Sequence, residues 1–196
     1  MTGDVRTTGD DTAGLVVCAA LRLEARAVRR GLARAPAVVV GYRARRVPRL
    51  PERAAVAVVG FGGALDDRLA PGTVVVADEI RGGGKPVPCP GARALAADLA
   101  RDGLRVHVGP LVSADRVVRE RERHVWAADG ACAVDMESAR VAAALPQGTP
   151  VAALRVIVDG PRHPLLRPGT ITRGVAAWRV LARTGPALER WAAEPV

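Results

Sequence analysis

Lysine is almost absent from this chain of 196 residues: Lys85 stands alone, so the formal net charge of +9 is carried almost wholly by arginine. A basic excess can mark a phosphate-rich partner, but here the arginines and alanines spread along the whole length, which reads as compositional bias rather than as one binding face. Aromatic residues are equally scarce. Tyr42, Phe61, Trp126, Trp178 and Trp191 are too scattered to form a stacking platform for single strands, so no nucleic-acid partner is expected. Cysteine is limited to Cys18, Cys89 and Cys132, odd in number, far apart and without a CxxC, which excludes a disulfide framework or a zinc site and fits a reducing cytoplasm. His107, His124 and His163 share no metal-ligand spacing, and neither a metal nor a cofactor is expected. Long hydrophobic runs are missing too. Hydrophobic residues make up 49% of the chain, but Gly or Arg interrupts every apolar segment before the ~18 residues that a membrane span needs. The opening "MTGDVRTTGDDTAG" has no basic patch followed by an apolar block, so it reads as a disordered tail over residues 1–14 rather than a signal peptide. The length then suits one domain over residues 15–196, soluble and cytoplasmic.

What is present is an alternation of strand and helix patterns. "LVVCAA" is a short β-branched apolar run, and Leu21, Ala25, Val28 and Leu32 follow it at helical spacing. "AVVVGY", "AAVAVVGFGG" and "TVVVADE" read as buried strands. "GARALAADLARDG" reads as a helix with Gly103 just past its end. "LRVHVGPLVS" is a strand, "VVRERERHVWAAD" an exposed charged helix, "ACAV" a short strand, "MESARVAAAL" a helix and "PVAALRVIVD" the last strand. From Thr172 to Glu194 a helical pattern points Val175, Trp178 and Leu181 inward and breaks near Gly185 and Pro186. This alternation argues for an α/β domain around a central, mostly parallel or mixed twisted sheet flanked by helices, a three-layer arrangement.

Ligands in such sheets bind beyond the carboxyl ends of the strands. Glu24, Gly41, "GFGG" (Gly60 to Gly63), Ser113, Asp115, Asp135, Glu137 and Asp159 all fall there. A Gly-rich turn admits a ligand to the backbone, and a half-buried carboxylate can be tuned by desolvation for proton transfer. The same residue types also have plain structural uses. Asp115, Asp135 and Glu137 could cap helices, glycines could merely turn the chain, and Met136 could be core.

The motifs go further than the pattern. "AVDMESARVA" resembles the V-[DE]-M-E-[SA] signature of the purine nucleoside phosphorylase and 5′-methylthioadenosine nucleosidase superfamily. "CAALRLEARAV" looks like its first strand and following helix, "GFGGALDDRLAPGTVVVADEI" like its Gly-rich turn and next strand, "LVSADRVV" like its S-[GA]-D segment and "LRVIVDG" like its R-x-[IV]-S-D strand end. Five segments in the family's order cover Val16 to Asp159.

The resemblance implies roles. Glu137 with Met136 would hold the ribose hydroxyls, and Asp159 would sit by the purine, protonating or hydrogen-bonding N7. Glu24 would be the general base for water, Val117 and Val118 would wall the base pocket, and Gly62 and Asp115 would complete the substrate site. The segment "VVVGYRARRVPRLPERA" looks like a compressed phosphate loop, with Gly41, Arg43 and Arg45 as its binding residues, Arg46 nearby, and phosphate as a co-substrate. That stretch is shortened relative to the family, and Pro48 and Pro51 forbid a regular helix there. "SADRVV" with "AVDMES" most resembles the hopanoid-associated branch, which removes adenine from adenosylhopane. The implied function is cleavage of the N-glycosidic bond of a 5′-modified adenosine, by hydrolysis or phosphorolysis. The alternatives are a methylthioadenosine, S-adenosylhomocysteine or futalosine hydrolase, or a degenerate nucleoside-binding protein. A homodimer and peripheral contact with an anionic membrane, to reach a lipid-linked substrate, are further expectations of the resemblance.

Overall fold

The computed structural model describes residues 14–51, 53–65, 67–161 and 170–194. The expected tail lies outside these except for Gly14, and so does His163. In chain order the elements are β1 (Leu15–Ala19), α1 (Arg22–Arg29), β2 (Ala37–Val39), β3 (Ala55–Ala64), β4 (Val74–Arg81), β5 (Val87–Pro88) and α2 (Ala92–Arg101). They continue with β6 (Val106–Ser113), α3 (Glu120–Ala128), β7 (Ala133–Asp135), α4 (Ser138–Ala143), β8 (Val151–Asp159), α5 (Thr170–Ala182) and α6 (Gly185–Ala193).

The strands form one mixed sheet in the order β2-β1-β3-β7-β6-β4-β5, with β8 paired to both β3 and β4. The pairs β1/β2, β1/β3, β3/β8, β4/β6 and β6/β7 are parallel, while β3/β7, β4/β5 and β4/β8 are antiparallel. Following the pairings from β3 through β8, β4, β6 and β7 leads back to β3, so this part of the sheet closes on itself. Closure is not readable from alternation, because it depends on which distant strands share hydrogen bonds.

β8 carries the core. Val151 to Ile157 are all buried, and Leu154, Val156 and Ile157 have no exposed surface. Apart from Arg155, this is the apolar run that a strand covered on both faces requires, and each large apolar side chain in it contributes about 1.5–3 kcal/mol by leaving water. Helix α1 packs on α5 and α2 on α6. Gly103 has φ +76° just past α2, as its position in the sequence suggests.

Three expectations are corrected. Val175 is exposed, and the inward face of α5 is Ala177 with Leu181; Trp178 is only partly buried, under the guanidinium of Arg30. Leu21 is exposed at the start of α1, whose buried apolar residues are Ala25, Ala27 and Val28. "GFGG" is not a turn after a strand, because β3 continues through it to Ala64.

Candidate active site

A cavity of about 350 Å³ opens where β1, β3, β7 and β8 end, closed on one side by the segment before α3. It lies at the carboxyl ends of the parallel strands β1, β3 and β8, where an α/β sheet leaves room for a ligand. Its walls are mostly apolar, from Ala20, Leu21, Phe61, Val117, Val118, Val134 and Val158. Glu24, Glu137 and Asp159 face it from three segments far apart in sequence.

Glu24 occupies the first turn of α1, where its charge suits the helix dipole. Oε2 accepts the N–H of Leu21 (2.8 Å), capping its own helix, and Oε1 accepts the N–H of Phe61 (2.8 Å). It is buried, and that burial pushes its pKa above the usual carboxylate range. The Phe61 N–H, the charge of Arg155 and the Leu21 N–H pull it back, while Glu137 adds to the rise. Space for it comes from Gly60, where a Cβ would stand 2.6 Å from Glu24 Oε1.

Asp135 ends β7 and Glu137 stands at the N-cap of α4, and their duties differ. Asp135 is buried against the guanidinium of Arg155 and also accepts the N–H of Ser138 (3.1 Å) and hydroxyl bonds from Ser113 and Ser138. Arg155, itself fully buried, extends towards Glu137 (3.9 Å). Glu137 keeps its place on the cavity by accepting the N–H of Arg43 (3.0 Å). That N–H is presented by a turn in which Gly41 has φ +78°, Arg43 +58° and Ala44 +47°. Left-handed geometry at two non-glycine residues costs about 1–3 kcal/mol each, so the turn is held by its surroundings.

Asp159 ends β8. The β3/β8 register shifts between Gly62 and Gly63, so that Gly63 pairs with Asp159, and such a bulge re-aims a side chain. The guanidinium of Arg123, on α3, donates to Asp159 Oδ2 and to the carbonyl of Ala64. A Cβ on Gly63 would stand 2.9 Å from Arg123 Nη1 and 3.0 Å from Asp159 Oδ1. The glycines of "GFGG" therefore make room for charged side chains, Gly60 for Glu24, Gly62 for the stem of Arg155 and Gly63 for the Arg123–Asp159 pair.

Of the residues expected at a substrate, Glu24, Gly62, Val117, Val118, Met136, Glu137 and Asp159 line this cavity. Asp115, Gly41, Arg43 and Arg45 do not. Asp115, with 80% of its side chain exposed, lies on a neighbouring hollow beside Gly82, Gly83 and Arg140, and pairs with Arg140 (3.3 Å) and Arg43 (3.7 Å). Arg43 thus offers the cavity rim its backbone rather than its guanidinium, and Arg45 is exposed. Sequence reasoning missed Arg123 and Arg155. Arg123 sits in a charged helix that reads as solvent-facing, and Arg155 in the middle of an apolar strand, where an uncharged residue is the ordinary expectation. The signal for Arg155 is that anomaly itself, since a buried charge must be paired.

Fold and cavity together define an α/β domain whose carboxylates converge beyond the strand ends. A family model described as the phosphorylase superfamily matches residues 18–173. The chain belongs to that superfamily and is on that ground an enzyme of glycosidic-bond cleavage. A search of curated proteins finds no match. Among solved structures, the chain is similar to the S-adenosylhomocysteine nucleosidase of Streptococcus pyogenes in complex with 5-methylthiotubericidin, at 20% identity over 96% of this chain and 100% of that one, with a TM-score of 0.72. It is also similar to the 5′-methylthioadenosine/S-adenosylhomocysteine nucleosidase of Colwellia psychrerythraea in complex with adenine (18% identity, 91% and 97%, TM-score 0.69). A mutant futalosine hydrolase of Helicobacter pylori is a third (14% identity, 92% and 98%, TM-score 0.68). At these identities the likeness establishes the fold.

Proposed function

We propose that this enzyme cleaves the N-glycosidic bond of a 5′-modified adenosine by hydrolysis, releasing adenine. The observation that carries the reading is the convergence of Glu24, Glu137 and Asp159 on one apolar-walled cavity. In this scheme Glu137 accepts the ribose hydroxyls, Val117 and Val118 enclose the base, and Asp159 meets the base edge. Glu24, its pKa raised by burial, takes a proton from water as the oxygen attacks C1′. Cleavage passes through an oxocarbenium-like state, and carboxylates around the sugar stabilise that charge. The nucleosidases that share this fold, one of them in complex with adenine, support the choice of base.

Hydrolysis is favoured over phosphorolysis because no arginine of the Gly41–Arg45 turn lines the cavity, and the guanidinium of Arg43 is turned to Asp115. An incoming phosphate would meet the carboxylates of Glu24 and Glu137, while the arginines that do line the cavity, Arg116 and Arg123, are paired with Glu122 and Asp159.

The 5′ substituent is read from the mouth. Leu21 (47% exposed) and Tyr42 (50%) line the cavity yet stand open to solvent. Such a rim suits a long apolar substituent, and the adenosine of a hopanoid lipid is the substrate we favour, reached at an anionic membrane surface that the arginines would approach. A methylthioadenosine, S-adenosylhomocysteine or futalosine substrate is the second reading, supported by the named relatives of the same fold.

The test is adenine release from 5′-deoxyadenosine, methylthioadenosine and a 5′-alkyl adenosine, each with and without phosphate. Adenine formed without phosphate, fastest from the alkyl compound, is the expected result. A strict need for phosphate would overturn the hydrolytic reading. Preference for methylthioadenosine would overturn the lipid assignment.

A further inference from the structure

Arg123 has no part in the scheme above, yet it lines the cavity beside Asp159 and is buried. A guanidinium carries five N–H donors and no acceptor. Nη1 serves the carbonyl of Ala64 and Nη2 serves Asp159, two bonds from a group of five donors that also lines the cavity, so a ligand there can accept from it. Asp159 beside it brings acceptor oxygens. The pair therefore offers a donor and an acceptor side by side, fixed in space by α3, by the end of β8 and by the absence of a side chain at Gly63.

One edge of a 6-aminopurine presents the complement: N7 is an acceptor and the N6 amino group a donor. We infer that Arg123 and Asp159 read that edge together, the guanidinium donating to N7 and the carboxylate accepting from N6–H. The inference rests on the purine reading and deepens it, because it makes the fixed charge of Arg123, rather than a proton from Asp159, the device that activates the leaving base.

The step balances. Water gives its proton to Glu24 as its oxygen bonds to C1′, and the C1′–N9 bond breaks with its electron pair passing to the purine. The resulting anionic adenine is held by Arg123 at N7. It takes its proton from solvent on release, and Glu24 returns one to solvent. A 6-oxopurine fits poorly, because its O6 is an acceptor turned towards the carboxylate of Asp159.

The experiment is titration calorimetry of the full chain with adenine and with 7-deazaadenine, which lacks the N7 acceptor. The unaltered protein is expected to prefer adenine by about tenfold or more, the worth of a hydrogen bond to a charged donor. In Arg123→Met the preference is expected to shrink to within about twofold. An unaltered protein without preference, or an Arg123→Met variant that keeps it in full, overturns the role of Arg123 and leaves the purine reading standing. Failure of both bases to bind the unaltered protein overturns the purine reading and this inference with it. Should Arg123→Met not fold, the unaltered protein decides. A guanidinium does not titrate, so the preference is expected to be equal at about pH 6 and about pH 9, and its loss at the higher pH would name a titrating donor instead.

Discussion

Glu24 and Asp159 lie against Gly60 and Gly63, three residues apart on β3 and so roughly 10 Å along the strand, and their partners differ in kind. Glu24 is held by two backbone N–H groups, with no side-chain cation among the described residues hydrogen-bonded to it. Asp159 is fastened to the guanidinium of Arg123. Burial acts on Glu24 to favour taking up a proton, which is what a base for water must do, while Asp159 is committed as an acceptor beside a permanent donor. On the proposed reading, two carboxylates in one cavity are thereby given separate work by their neighbours rather than by their own chemistry.

The largest way to break this contrast is Glu24→Gln. The amide keeps the shape and cannot take the proton, so adenine release is expected to fall by about 10²–10⁴-fold while adenine binding persists. Equal loss of binding would mean that Glu24 holds the site together instead. Next in size is Arg155→Met, which strands Asp135 in the core without its partner. An expected loss of about 3–5 kcal/mol in denaturant unfolding follows, and a melt unchanged by the substitution would count against a paired interior.

Two glycines sharpen the comparison. Gly60→Ala presses on Glu24 and Gly63→Ala on the Arg123–Asp159 pair. Each is expected to destabilise by about 1–3 kcal/mol through overpacking. Their effects on function should part, with Gly60→Ala lowering turnover at near-normal adenine affinity and Gly63→Ala weakening adenine by about tenfold. Identical kinetic profiles would dissolve the division of labour.

How much of this was legible depends on where each interaction is encoded. The strands and helices were readable because β-branched runs and helical spacing are local, and the ends of β1, β7 and β8 located Glu24, Glu137 and Asp159. Closure of the sheet was not, because the β3/β7 and β4/β8 pairings join segments dozens of residues apart. Arg123 was hidden for a similar reason. Its helix, "ERERHVWAA", has charges on most faces, and only the approach of Gly63 and Asp159 singles out one arginine to be buried. The glycines of "GFGG" announced a close approach, but the sequence alone could not tell a ligand from the protein's own charged side chains.

The rise in the Glu24 pKa also has a stability consequence. Below about pH 4.5 the group is protonated whether the chain is folded or not and contributes no difference. As pH rises, the unfolded chain releases this proton first while the folded chain retains it, so this group lowers stability progressively until its folded-state pKa is passed. The melting temperature relative to Glu24→Gln is therefore expected to decline as pH rises above about 4.5, and an opposite slope would mean that the hydrogen bonds from Leu21 and Phe61 outweigh burial.

The smallest expected effect comes from Asp115, which the family motif assigns to the substrate and the fold sets on the neighbouring hollow. Its carboxylate is 80% exposed and meets Arg43 and Arg140 only at 3.7 and 3.3 Å. Exposed pairs of this kind contribute at most about 1 kcal/mol, so Asp115→Ala is expected to leave stability within about 0.5–1 kcal/mol and adenine release within about twofold. Such a result would confine the chemistry to the cavity that Glu24 and Asp159 share. A loss of tenfold or more would instead tie the second hollow to the first through Arg43, whose N–H holds Glu137 and whose guanidinium Asp115 restrains, and the boundary of the site would have to be drawn around both.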